Sequence, residues 1–365
     1  MTATDAGPTA GAGTTAGTTP ADTAAVEATL ARYGDLTRAA MAHILGAGAN
    51  GSGGTPYVTD LVLDYPSRSG KALRPALVLA TCQAFGGSVR DAMGPAVAIE
   101  MLHNAFLIHD DVEDRSTRRR GRPTLHEVHG VPLAINAGDA LALAALRPLR
   151  DHTVLGSRLQ QAVIDEFLDM ADRTIAGQAR ELGWRRDNVV DLQPDDYLEL
   201  IGAKTCWYTT IYPLRVGALV GSRGAADLEA LSRFGFFLGA AFQIRDDLLN
   251  LVGAEDEVGK EPLDDIREGK RTLMLIHALG AAGASDRAWL VRYLALPEEQ
   301  RTAAHVARVL DLMAEHGSLD FAAAYGQGIA AAARDAFAAA FAGVGPSTHR
   351  SFVEGLVPYM LERSR

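Results

Sequence analysis

The residues best suited to chemistry form two acidic runs, each closing an apolar stretch. Asp110-Asp111-Val112-Glu113-Asp114 follows the stretch from Ile99 to Ile108, which only Glu100, His103 and Asn104 interrupt. On a helix, positions i and i+4 stack on one face. Asp110 and Asp114 are therefore expected to point the same way, with His103, two turns earlier, on nearly the same side. Carboxylates this close repel one another unless their pKa values shift or cations lie between them. Oxygen ligands on one face suit Mg2+, which retains water and bridges readily to phosphate. A solvated acidic helix end would give the same cluster. The pattern recurs, however: Gln243-Ile244-Arg245-Asp246-Asp247-Leu248-Leu249-Asn250 follows a second apolar run, Phe236 to Phe242, and again spaces polar oxygens at i and i+4. A solvated surface has no need of that arrangement twice.

A metal-bridged diphosphate also needs fixed cations. The chain supplies Lys71 and Arg74 early, Arg118-Arg119-Arg120 after the first acidic run, then Lys204, Lys260 and Lys270. Arginine forks grip phosphate in bidentate fashion, whereas lysine acts as a point charge. Any one lysine, taken alone, reads as surface decoration. Gly70-Lys71 does not make a P-loop, because Tyr65 and Ala72 stand where that motif needs glycine and Ser or Thr. His126 and His129 lack the glutamate and the third ligand of a zinc site and read as structural. Trp207, Tyr208 and Tyr212 read as core or cavity wall.

The elements that must position these groups are helices. Alanine abounds, apolar periodicity is long, and short β-branched alternation is scarce, so the 365 residues read as all-α, with 48% hydrophobic residues to fill a core. Residues 1–24 mix Thr, Ala, Gly and Pro and read as a disordered tail. Residues 25–365 read as one domain: helical periodicity starts near Val26, and glycine-rich breaks at 46–54, 183–194, 253–262, 280–285 and 343–346 only punctuate helices. The net charge of -10 opposes nucleic-acid binding. Two distant cysteines, Cys82 and Cys206, form no CxxC motif and fit a reducing cytoplasm. No apolar run reaches the about 18 residues of a membrane span, so a soluble protein is expected.

With these motifs in order, the chain resembles the trans-prenyl diphosphate synthases, most of all the geranylgeranyl-forming type. The matching segments are SGKALRP (69–75), LHNAFLIHDDVED (102–114), RRGRPTLH (119–126), GQ (177–178), KT (204–205), FQIRDD (242–247), GK (259–260) and DIREGKRT (265–272). The resemblance implies one large isoprenoid-synthase helical bundle with a central cavity between two aspartate-rich helices, and a homodimer. It implies that isopentenyl diphosphate condenses with an allylic diphosphate. By the same resemblance Asp110 and Asp114 hold two Mg2+ ions and Asp246 a third, with Mn2+ able to substitute, while Asp111, Asp247 and Lys204 belong to the catalytic set. Arg119, Lys204, Thr205, Gln243, Lys260 and Lys270 would contact the allylic substrate. Gly70, Lys71, Arg74, His103 and Arg120 would serve isopentenyl diphosphate. Phe106 and Ala105, four and five residues before Asp110, would set product length at twenty carbons. Asn250 stands where the family often has aspartate, a subfamily trait on this reading. A class I terpene cyclase would lack the second basic set, and a non-catalytic partner subunit would lose one acidic run.

Overall fold

A computed structural model describes residues 20–49, 55–68, 70–151, 153–252 and 263–362. Helices α1 (Pro20–Ala49), α2 (Pro56–Ser67), α3 (Leu73–Ala84) and α4 (Val89–Glu113) come first, followed by a two-residue hairpin, β1 (Arg118–Arg119) and β2 (Arg122–Pro123). Next are α5 (Leu125–His129), α6 (Val131–Ala144), α7 (Arg147–Arg150), α8 (Ser157–Arg186) and α9 (Pro194–Ile201). A π-helical segment, Gly202–Ile211, leads into α10 (Tyr212–Gly221) and α11 (Leu228–Val252). The described chain closes with α12 (Asp264–Glu268), α13 (Leu273–Ala281), α14 (Ala284–Leu294), α15 (Ala303–Glu315), α16 (Ser318–Ala340) and α17 (Thr348–Glu362).

The all-α class and the helical bundle are as the sequence indicates. Helix α1 starts at Pro20, inside the segment expected to be tail, and runs to Ala49, into the expected glycine-rich break. Residues 1–19 and 50–54 lie outside the described residues, as do 253–262, which include Lys260.

The two helices that carry the acidic runs have the same length, 25 residues each. Helix α4 is buried almost all round between Ala92 and Ala105, the signature of a central helix. Its start is fixed by a reciprocal cap in which the Asp91 amide donates to Ser88 Oγ (3.3 Å) and the Ser88 amide to Asp91 Oδ2 (2.9 Å), an arrangement worth about 1 kcal/mol. It packs against α3 and α6, and α11 packs along α16 and against the π-helical segment. One core cluster surrounds α3, α4 and α10, and a second joins α11 to α13, α14 and α15.

Candidate active site

A cavity of about 660 Å³ opens among α4, α6, α8, α9, the π-helical segment and α11. Asp110 looks into it from α4, and Asp246 and Asn250 from α11. Lys204, Arg119, Gln243, Thr205 and Lys270 join them at the polar end. Leu102, Phe106, Leu107, Ala142, Ile175 and Leu182 make apolar wall.

The two aspartates of the first pair have divided the work, and those of the second share the cavity wall. Asp111 is fully buried and accepts from the Tyr65 hydroxyl and from Arg119, whose Nε lies 2.9 Å away. Asp247, also buried, accepts from the Tyr197 hydroxyl (2.8 Å) and from Gln243 Nε2 (2.7 Å). In each run a tyrosine from another helix holds the second aspartate; Asp111 is thereby kept out of the cavity, whereas Asp247 lines it beside Asp246. Asp111 has an arginine as counter-charge. Asp247 accepts from neutral donors, and burial, Asp265 and Asp246 together push it up to about 8.

Asp114 keeps helical backbone, its amide donating to the Asp110 carbonyl (2.8 Å), yet it does not line the cavity with Asp110. It is the C-cap of α4, nearly fully buried, and lies behind the cavity wall with Arg185 Nη1 2.7 Å from Oδ1 and Lys270 Nζ 3.1 Å from Oδ2. Lys270 also meets Glu268 (2.7 Å) and Asp265 (3.4 Å). Burial alone would discharge this lysine, but Asp114, Asp265 and Glu268 keep its pKa well above the ordinary value. Lys204 behaves alike: burial opposes its charge, yet Glu181, with Oε1 2.6 Å from Nζ, and Asp110 hold its pKa up.

The approach of Lys204 depends on Gly177. A Cβ there would stand 2.6 Å from Lys204 Cα and 2.9 Å from the Ala203 carbonyl carbon, so only glycine lets α8 and the π-helical segment pack this closely. The next residue, Gln178, lines the cavity and donates to Glu113 Oε2 (2.5 Å). π-Helical turns inside helical regions are frequent at functional sites, where they re-aim side chains; this one carries Lys204, Thr205 and Tyr208.

The second basic set gathers at the α3 side. The hairpin turn places Arg120 (φ 52°) and Gly121 (φ 72°) in the left-handed region, the two-residue type I′ geometry that suits a right-twisted hairpin. For a non-glycine residue that conformation costs about 1 kcal/mol. It turns Arg120 from Arg119's direction toward the chain before α3, where Nη1 donates to the Arg68 carbonyl (3.0 Å) and the guanidinium covers Gly70 so closely that a Cβ would meet Nη2 at 2.7 Å. Arg74 lies over the Tyr208 ring (4.2 Å to the centroid) and donates to Thr209 Oγ1 (2.9 Å). His103 is buried; burial and then Arg74, Arg120 and Arg119 keep its pKa well below the ordinary value, so its imidazole is neutral. Arg74 Nε and His103 Nδ1 are buried without a hydrogen-bond partner among the described residues. Lys71 is exposed. Ala105 is fully buried and is not part of the cavity wall, whereas Phe106 is, its ring edge-on to Tyr208 at 6.0 Å.

Tyr65, Tyr197, Glu181 and Arg185 complete the site without having stood out in the sequence. Their partners lie 46, 50, 23 and 71 residues away, and each residue type is common in helices.

The sequence model of the polyprenyl synthetase family matches residues 56–313. The chain belongs to this family. It is 34% identical over 253 residues to a short-chain isoprenyl diphosphate synthase of Methanothermobacter thermautotrophicus, covering 69% of this chain and 75% of that one. A geranylgeranyl pyrophosphate synthetase structure from Pyrococcus horikoshii superposes with a TM-score of 0.79 at 30% identity, covering 92% of this chain and 99% of that one. A geranylgeranyl pyrophosphate synthase from Corynebacterium glutamicum, solved with isoprenyl diphosphate and magnesium, gives a TM-score of 0.75 at 26% identity over 94% and 98% of the two chains. The protein is accordingly a trans-prenyltransferase of a Mg2+-dependent family. Among the described residues, no helix is long and apolar enough to cross a membrane.

Proposed function

We propose that the chain condenses isopentenyl diphosphate with an allylic diphosphate and stops at geranylgeranyl diphosphate. The observation that carries this reading is the cavity itself: Asp110 and Asp246 face it from two helices, Lys204 and Arg119 stand beside them, and apolar wall continues below. The donor set suits Mg2+, being all oxygen. Mg2+ is commonly held by one or two carboxylates and completed by water and substrate phosphate, and Asp110 and Asp246 offer one carboxylate from each helix.

Bound Mg2+, three ions on this reading and replaceable by Mn2+, would neutralise the leaving diphosphate; Asp110, Asp246 and, once exchanged from its cations, Asp114 would hold them. The rest is done by the chain's own groups. Arg119, Lys204, Thr205, Gln243, Lys260 and Lys270 take the allylic diphosphate, so that its C–O bond breaks with the electron pair leaving on oxygen. Asp111 orients the site from behind, and Asp247 does so from the cavity wall, held by Tyr197 and Gln243. Arg74, Arg120, His103, Lys71 and the backbone at Gly70 take isopentenyl diphosphate, whose anionic oxygens would satisfy Arg74 Nε and His103 Nδ1. Its alkene electrons form the new C–C bond, and the released diphosphate accepts the proton. Phe106 at the cavity wall limits growth to twenty carbons, and Ala105 adds no bulk there.

A second reading, a one-substrate cyclase, has no use for the basic set around Arg74. Exposed Val128, Val131, Ile135, Leu143, Leu168 and Ile175 on α5, α6 and α8 support a homodimer that covers them. A cytoplasmic setting fits two buried, reduced cysteines, Cys82 and Cys206. Residues 25–365 are read as one catalytic domain, and the start of α1 at Pro20 supports placing its N-terminal boundary a turn earlier. The test is chromatography of products from isopentenyl diphosphate with dimethylallyl, geranyl and farnesyl diphosphate. A twenty-carbon diphosphate from all three supports the proposal, and cyclised product without use of isopentenyl diphosphate overturns it.

A further inference from the structure

Arg185 occupies a position that the reaction as described does not require. It sits in the last turn of α8, one turn beyond the cavity-lining Glu181 and Leu182. Its Nη1 donates to Asp114 Oδ1 at 2.7 Å, with Asp114 1% and Arg185 16% exposed at the side chain. Among the described residues Arg185 makes no other side-chain hydrogen bond. Lys270, on the other carboxylate oxygen, has Glu268 and Asp265 as further partners and keeps compensated charge whether or not Asp114 remains. Arg185 depends on Asp114 for its bond. Behind it lies a second cavity of about 370 Å³, lined by Arg185, Asn188, Glu268, Glu298 and Arg301 and by the turn from Leu294 to Pro297.

A carboxylate that ligates a divalent ion cannot keep a buried arginine and lysine on both oxygens without placing three cationic groups in one low-dielectric space. We propose that Arg185 is a positioning residue that competes with Mg2+ for Asp114, and that it withdraws toward the Glu268 and Glu298 side of the second cavity when the ion takes the carboxylate. Arg185 thus sets the Mg2+ concentration at which the first acidic run becomes a metal site. The inference rests on the reading of Asp114 as a metal ligand.

The experiment follows the Mg2+ midpoint in two ways: steady-state turnover, and the rise in Tm of the full-length protein with Mg2+ at fixed inorganic diphosphate. Arg185→Met keeps the side-chain length and removes the charge, so both midpoints should fall by about tenfold, the scale of one lost charge interaction in a partly buried site. Arg185→Lys retains a point charge without the fork and should fall between Met and wild type. An unchanged or raised midpoint in Arg185→Met overturns the inference. Should that variant fail to fold, Arg185→Lys decides: a lowered midpoint supports competition, and an unchanged or raised one refutes it. Asp114→Asn separates this result from the reading beneath it. If that variant shows wild-type turnover and Mg2+ midpoint, Asp114 is not a ligand and the assignment itself fails, whatever Arg185 does.

Discussion

Gly177→Ala is a small change at the point where two halves of the cavity wall touch. The added Cβ would lie 2.6 Å from Lys204 Cα and closer still to Lys204 N, whereas an ordinary contact begins at 3.4 Å, so the backbones must part by about 1 Å at that point. The obstructing atoms are backbone and cannot rotate aside. Overpacking of this kind costs about 1–3 kcal/mol. The larger effect should be on chemistry, because the same shift carries Lys204 and Thr205 away from Asp110 and Asp246, and misplacement by about 1 Å can cost as much as 10²-fold in rate. The assay pairs a thermal melt with steady-state incorporation of isopentenyl diphosphate. Turnover should fall by about 10–100-fold while the melt remains cooperative and the Tm drops modestly. A variant with wild-type turnover and Tm would show that the close approach of α8 to the π-helical segment does not position Lys204.

Phe106→Ala opens the apolar wall and should lengthen the product beyond twenty carbons; an unchanged chromatogram would place the floor elsewhere. Arg74→Ala should raise the KM for isopentenyl diphosphate about tenfold more than that for the allylic partner, and Arg119→Ala should show the opposite bias, both read from initial-rate kinetics. Asp247 has its folded pKa raised from 3.8 to about 8, so it binds a proton on folding between those values. Its contribution to stability is complete below about pH 4 and is lost as pH rises through about 8. In chelator-treated protein, the wild-type Tm should therefore fall relative to that of Asp247→Asn between pH 5 and 9; parallel curves would contradict the assignment.

The helices and the facing acidic runs were legible because apolar period and polar spacing are local. Helices α4 and α11 stand where Ile99 to Ile108 and Phe236 to Phe242 placed them, and Asp110 and Asp246 face one cavity. The division within the first aspartate pair was not legible. Asp110 and Asp111 are the same residue type side by side, and only Tyr65, 46 residues earlier, shows which one turns inward. Asp114, one helical turn from Asp110, is held by Arg185 and Lys270 instead of lining the cavity, and no local pattern shows those distant partners. The basic set divided similarly: Arg119 and Arg120 are neighbours, and a left-handed turn at Arg120 sends them different ways. Of the two residues read as setting product length, Phe106 lines the cavity and Ala105, without bulk, is buried in the core. The π-helical register of Lys204 has no counterpart in the sequence pattern, which reads there as ordinary helix.

The central claim is that Asp110 and Asp246, from separate helices, act as one device on a single leaving diphosphate. A double-mutant cycle on turnover tests it directly, with circular dichroism to confirm folding. Asp110→Asn and Asp246→Asn should each cost about 10³-fold or more, and the double variant little beyond either, because groups that act as a unit are lost together. Losses that multiply in full would contradict the account, as would a folded single variant that turns over at the wild-type rate.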